Sequence, residues 1–264
     1  VKGDEVVTEK VGFKSYHEGQ VVRLTLQAPP GNILDKAMME AFQSRLNDLK
    51  GQNHVKLIQV TGDGAHFSFG ASVQEHTRHQ VEAMLAQFHQ LFYLFMELSI
   101  PTAALVSGQC LGGGFELALM CDFLFTDATT RLGQPEINLG VFPPPASLLL
   151  PLKIGQSRAN DLLLTGRTIS ADEAQNLGLV TEIFPDREAL DSGVAQWVKN
   201  YILSKSASSL RHGLKAARWQ MNRVLKKQLP ELEAFYLEEL MATHDANEGI
   251  EAFLNHRDPE WKDQ

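Results

Sequence analysis

Between residues 11 and 28 apolar and polar side chains alternate, most clearly in Val21-Val22-Arg23-Leu24-Thr25-Leu26, and predict two strands around a turn. Pro29-Pro30-Gly31 then ends the second strand. From residue 35 the period changes: Met38, Phe42, Leu46 and Leu49 fall on one helical stripe that stops at Gly51. A strand over 55–61 leads into the turn-rich segment GDGAHFSFGASVQEH, whose Ser72-Val73-Gln74-Glu75 has capping-box spacing. That spacing predicts a helix opening just after Ser72, with Ser72 as its cap. A Leu- and Phe-rich helix over 81–97, a strand over 102–106, a helix led by Gly112-Gly113-Gly114 and a strand over 121–126 follow.

The segment RLGQPEINLGVFPPPASLLLP carries turn chemistry at both ends and one acid, Glu136. Ser170-Ala171-Asp172-Glu173 is a second capping box, its helix stopping at Gly178, and residues 179–184 read as a last strand. Beyond Pro185 the pattern is helical throughout, in segments at about 187–204, 207–227, 231–246 and 248–256, with Leu232, Phe235, Tyr236 and Leu240 forming one stripe. Strands alternating with helices, then helices alone, predict an α/β fold. Its core spans residues 1–186, and a helical region, 187–264, docks on that core or on another subunit. No repeat or low-complexity linker divides the chain.

Composition narrows the function classes. A length of 264 residues allows a large domain with a smaller appendage, and no apolar stretch is long enough to span a bilayer. The first ten residues, VKGDEVVTEK, lack the pattern of a secretory signal, so the expected location is cytoplasmic. The two cysteines, Cys110 and Cys121, lie in apolar sequence and read as small buried hydrophobes. A net charge of −8 argues against phosphate-backbone binding, so no nucleic-acid partner is expected. His76 and His79 are three apart on a predicted helix, yet no acid or cysteine with ligand spacing joins them, and no metal site is expected.

The candidate chemistry centres on SGQCLGGGFELALMCD, residues 107–122. Glycines at a helix start leave N–H groups uncovered, where they can meet an anion or a developing oxyanion. Glu116 stands among Phe115, Leu117, Ala118, Leu119 and Met120, and a buried lone carboxylate needs either a structural partner, such as its own helix start, or a chemical task. The glycines fit neither a dinucleotide fingerprint nor a phosphate loop, and no Ser-His-Asp set can be assembled. What survives is two acids, Glu116 and Glu136, with two candidate backbone donors, Gly113 and Ala71. Two such donors make an oxyanion hole, and paired carboxyls can divide the handling of water and protons.

HFSFGAS (66–72), SGQCLGGGFELALMCD, LGQPEINLGV (132–141) and LLLTGRTISADEAQNLGLVTEIFP (162–185) together resemble the crotonase, or enoyl-CoA hydratase, superfamily, in order and spacing across nearly the whole chain. The resemblance implies a spiral of ββα turns with a helical C-terminal trimerisation region, a homotrimer or homohexamer, and an acyl-CoA substrate. It places Ala71 and Gly113 on the oxyanion-hole positions and Glu116 and Glu136 on the catalytic glutamates. It assigns ligand contacts to Ala71, Ser72, Val73, Gln74, Gly113 and Phe253, the last reaching a neighbouring subunit's adenine. No cofactor is implied, because coenzyme A is part of the substrate.

Departures from the family pattern sharpen the expectation. Ser72 stands where Asp is usual, and His256 stands where Lys is common, with Arg257 as a candidate substitute for a phosphate contact. Phe142-Pro143-Pro144-Pro145-Ala146-Ser147 replaces a glycine-rich stretch. With HFSFGAS, it resembles the branch that hydrates cyclohexa-1,5-diene-1-carbonyl-CoA in anaerobic aromatic degradation. Either the prolines form a stiff wall near Glu136 or they brace a surface loop. The rival expectations are ordinary fatty enoyl-CoA hydration, another crotonase reaction such as isomerisation or decarboxylation, and an RNA-binding or scaffold protein on the same fold.

Overall fold

The computed structural model describes residues 10–264, so all but the last residue of the stretch read for a leader lies outside them. Strands β1 (Val11–Tyr16) and β2 (Val21–Leu26) pair antiparallel, with Val11 opposite Leu26. Helix α1 (Lys36–Asp48) begins where the Asp35 carboxylate accepts the Met38 N–H, and it buries Met38, Met39, Phe42 and Leu46. All six residues of β3 (Leu57–Gly62) are buried, as befits a strand covered on both faces.

A 3₁₀ turn at Val73–His76 precedes α2 (Val81–Leu98), β4 (Thr102–Val106), the short β5 (Gln109–Leu111) and α3 (Gly113–Met120). Then come β6 (Phe123–Asp127), β7 (Arg131–Gly133), a 3₁₀ turn at Pro135–Leu139, α4 (Pro144–Ile154), α5 (Gln156–Thr165), β8 (Thr168–Ser170), α6 (Ala171–Asn176) and β9 (Glu182–Phe184). The C-terminal part is α7 (Arg187–Tyr201), α8 (Ala207–Ala217), α9 (Trp219–Glu238), a 3₁₀ turn at Leu240–Ala242 and α10 (His244–Leu254).

The large sheet has the order β1-β2-β3-β4-β6-β9 and is parallel from β2 onward, with Val60 beside Ala104 and Ala104 beside Leu124. A small sheet, β5-β7-β8, stands apart. The main core joins one sheet face to α1, α2, α3, α4 and α9, whereas Leu57, Leu105 and Phe125 on the other face pack under Leu190, Val194 and Val198 of α7. This mixed α/β architecture with a helical C-terminal region agrees with the expected fold class. No described helix is long and apolar enough to cross a membrane.

Three local expectations are corrected. Ser72 does not cap a helix with its side chain: Glu75 donates its N–H to the Ser72 carbonyl at 3.1 Å, forming a 3₁₀ turn, and the Glu75 carboxylate instead accepts the Lys36 N–H. The C-terminal helices divide at Arg218 rather than near Pro230. The Arg218 guanidinium is buried, donating to Asp122 at 2.6 Å and to the Met120 carbonyl at 2.6 Å, which pins the chain at the bend. Pro230 sits inside α9, where it and Lys226 both face solvent, so water can satisfy the carbonyl that proline leaves unpaired. Finally, the Leu232 stripe is shifted: α9 buries Leu225, Leu229 and Tyr236 and leaves Phe235 45% exposed.

Candidate active site

Two chain segments that precede helical turns run side by side and create the centre of the site. Leu111 donates its N–H to the Ser68 carbonyl at 2.9 Å, and Gly112 donates to the Gly133 carbonyl at 2.9 Å. Gly112 has φ 50°, and a side chain there would meet Glu136 Oε1 at 2.6 Å, so only glycine brings the chain this close to that carboxyl. The resulting turn places Gly113 at the first position of α3. A methyl added at Gly113 would stand 3.2 Å from the Ala71 nitrogen. Among the described residues no protein acceptor takes the Ala71 or Gly113 N–H. Both residues line a cavity of about 450 Å³.

Glu116 is one helical turn further along α3 and 4% exposed. Its carboxylate does not cap its own helix. Oε1 accepts the Ala146 N–H at 2.8 Å, across thirty residues. The proline run explains that bond. Pro144 and Pro145 occupy the first turn of α4, where a missing N–H costs nothing, so Ala146 is the first residue of the helix with a donor to offer. Burial raises the Glu116 pKa well above the usual carboxylate range, the nearby Glu136 charge raises it further, and the Ala146 N–H opposes both.

Glu136 projects from the 3₁₀ turn at Pro135–Leu139 into the same cavity, and burial pushes its pKa up to about 8. Fully buried Gln134, with its amide turned to suit its surroundings, donates to Glu136 Oε1 at 3.1 Å and Oε2 at 3.0 Å. Two enclosed carboxyls, one clamped by a backbone N–H and the other by an amide, can hold and exchange protons near neutral pH.

Of the residues expected at the site, Ala71, Val73, Gly113, Glu116, Glu136 and Phe253 all line the cavity. Ser72 and Gln74 do not border it; the Ser72 hydroxyl donates to Gln74 Oε1 at 3.1 Å. Phe253 is 51% exposed at the rim. Arg257 also lines the cavity, but Glu248 holds its guanidinium in a two-pronged ion pair. Pro143 and Pro144 form part of the wall, and Pro145 is buried without lining it.

His76 lines the cavity too, while His79 is exposed. His76 Nδ1 lies 2.8 Å from the Ser72 carbonyl, which can only accept, so Nδ1 carries the proton; burial lowers the pKa of the ring. Among the described residues no cluster of three metal-ligating side chains occurs.

Sequence reasoning missed Gln134, the Ala146 donor and Tyr236, which also lines the cavity. Gln134 carries no signal beyond lying two residues before Glu136. The sequence shows Tyr236 only as part of an apolar stripe.

Comparison with known proteins converges on one family. The profile described as enoyl-CoA hydratase/isomerase matches residues 16–264. A cyclohexa-1,5-dienecarbonyl-CoA hydratase of Thauera aromatica is 41% identical over 247 residues, covering 94% of this chain and 95% of that protein. A 2,3-dehydroadipyl-CoA hydratase of Escherichia coli K12 is 31% identical over 252 residues, covering 92% and 95%. Among solved structures, an enoyl-CoA hydratase of Mycobacterium avium subsp. paratuberculosis superimposes with a TM-score of 0.84 at 23% identity, covering 96% of this chain and 99% of that one, and shares the fold.

Proposed function

The chain belongs to the enoyl-CoA hydratase/isomerase family and is an enzyme of the hydratase type, a lyase, and on that premise we propose that it adds water reversibly to a cyclic dienoyl-CoA thioester, cyclohexa-1,5-diene-1-carbonyl-CoA. The observation that carries the hydration chemistry is the meeting of two enclosed carboxyls with two unclaimed backbone N–H groups around one cavity. The thioester oxygen lies between the Ala71 and Gly113 N–H groups, which stabilise it as it gains enolate charge. Glu116, its Oε1 fixed by Ala146, orients the water. Glu136 takes a proton from that water as the C–O bond forms and returns one to the substrate carbon, so the acid ends as it began. The thioester accepts the charge itself, so this chemistry calls for no metal, nicotinamide or flavin.

Two observations support the cyclic acyl group. The 41% identical Thauera relative carries that activity in its name. The cavity wall also includes Phe142, Pro143 and Pro144, whose stiffness suits a flat ring better than a long flexible chain. Phe253 at the rim is the proposed contact for a neighbouring subunit's adenine, in a homotrimer or homohexamer joined through the C-terminal helices.

A side-by-side assay tests the substrate. kcat/KM for cyclohexa-1,5-diene-1-carbonyl-CoA is expected to exceed that for crotonyl-CoA at least about tenfold, a transition-state difference of about 1.4 kcal/mol. Equal or reversed preference removes the cyclic substrate. Failure to incorporate labelled water oxygen from either thioester removes the hydration mechanism itself.

A further inference from the structure

Tyr236 is a polar side chain at the cavity that the mechanism above does not use. Tyr236 of α9 is 1% exposed, and its hydroxyl has no hydrogen-bond partner among the described residues. A buried phenol without a partner is disfavoured relative to phenylalanine, which would fill the same space without stranding a polar group. The ring is not free to swing away. It packs edge-on against Phe142 at 5.2 Å and 65°, and Phe142 is stacked on Phe235 at 5.6 Å.

The surroundings of Tyr236 define what it can bind. It borders the same cavity as Glu116 and Glu136, and the charges of both acids, added to burial, hold its pKa above the ordinary phenol value. Tyr236 is therefore an O–H donor throughout the neutral range. Neither acid accepts that proton in the structure: the Tyr236 hydroxyl has no partner, while Glu116 Oε1 takes Ala146 and both oxygens of Glu136 take Gln134. A water held by two carboxyls uses its hydrogens on them and keeps two lone pairs. One attacks carbon, and the other needs a donor.

We propose that the Tyr236 hydroxyl donates a hydrogen bond to the oxygen added to the acyl group, first as bound water and then as the product hydroxyl. This rests on the hydratase reading above and deepens it. Tyr236 thereby selects acyl groups carrying oxygen at the hydrated carbon over those without it. In the reverse direction it helps the departing hydroxyl, whose oxygen gains negative charge as the C–O bond breaks and is then protonated by Glu136.

The test is Tyr236→Phe, which keeps the ring and its packing. Expected is a fall of about tenfold in kcat with KM for the enoyl-CoA changed less than about twofold, and a melting midpoint no lower than that of the native protein. Binding supplies a second readout, in a Glu136→Gln background that blocks turnover. There Tyr236→Phe should weaken 3-hydroxybutyryl-CoA about tenfold and leave butyryl-CoA unchanged. Equal effects on both thioesters, unchanged kinetics, or a lowered melting midpoint accompanied by parallel losses in kcat and affinity would each overturn the proposal. The hydratase reading fails separately, if the native protein incorporates no labelled water oxygen into product.

Discussion

The cavity has two walls of different construction. One is made of element ends: the turn before Val73, the start of α3, the 3₁₀ turn at Pro135–Leu139 and the first turn of α4. It presents backbone N–H groups and two carboxyls, each held by a hydrogen bond to a partner fixed in the fold. The other wall is made of helix faces, Met84, Leu85 and Phe88 of α2 with Tyr236 of α9 and Ala252 and Phe253 of α10. Those side chains are largely apolar and are positioned by packing. The difference teaches where each property of the enzyme resides. On the reading proposed above, the oxyanion and proton chemistry falls where chain ends leave donors unsatisfied, and inward-facing side chains, Tyr236 among them, meet the acyl group beside Pro143 and Pro144.

The largest effects that probe this division fall on the first wall. Glu116→Gln and Glu136→Gln should each lower kcat by about 10²- to 10⁴-fold while calorimetry shows acyl-CoA binding largely kept, because the amide keeps the shape and loses the proton chemistry. Either variant turning over at the native rate would remove that residue from the proton-handling pair. A smaller loss is expected of Gly113→Pro, which deletes one N–H at the first position of α3, where the added ring also crowds the Ala71 nitrogen and Phe88. Loss of one such donor typically costs about 10²- to 10³-fold in kcat. A correctly folded Gly113→Pro protein with native kcat would end the oxyanion role and erase the distinction between the two walls.

The first wall was far more legible in the sequence than the second, for physical reasons that particular residues display. Ser170 announces the helix it caps, and the structure forms the side-chain bond, to the Glu173 N–H. Ser72 has the same local pattern and forms no such bond: its carbonyl takes the Glu75 N–H, its hydroxyl turns to Gln74, and the Glu75 carboxylate accepts the Lys36 N–H, far away in sequence. Capping is encoded locally, but a competing long-range donor is not. Glu116 stood out as a lone carboxylate in an apolar helix. Its partner did not, since Ala146 contributes only its backbone, and every residue but proline has the same N–H to give. Gln134 was silent for a related reason: an amide in a turn acquires meaning only when folding aims it at Glu136. On the second wall the stripe of α9 was visible as amphipathic, but its phase was not. The bend at Arg218 carries a buried ion pair with Asp122, far away in sequence, and α9 beyond it buries Tyr236 and leaves Phe235 exposed.

The smallest expected effect separates the walls without any substrate. Both acids have folded-state pKa values raised by burial, Glu136 to about 8 from an ordinary 4.5. A raised carboxyl binds its proton more firmly in the folded than in the unfolded chain. Its contribution to stability is therefore fully present below about pH 4.5 and is lost as pH rises through about 8. Glu136→Gln removes one such group and also removes the charge that disfavours ionisation of Glu116. The variant should melt close to the native protein near pH 4.5 and progressively above it as pH approaches 8, a gap read from paired melting curves across that range. The second wall carries no carboxyl of this kind. Tyr236→Phe should therefore shift the melting midpoint by the same amount at both ends of the range. If Glu136→Gln instead loses stability relative to the native protein as pH rises, the folded protein favours the ionised carboxylate and lowers its pKa, and the first wall is no more demanding to build than the second.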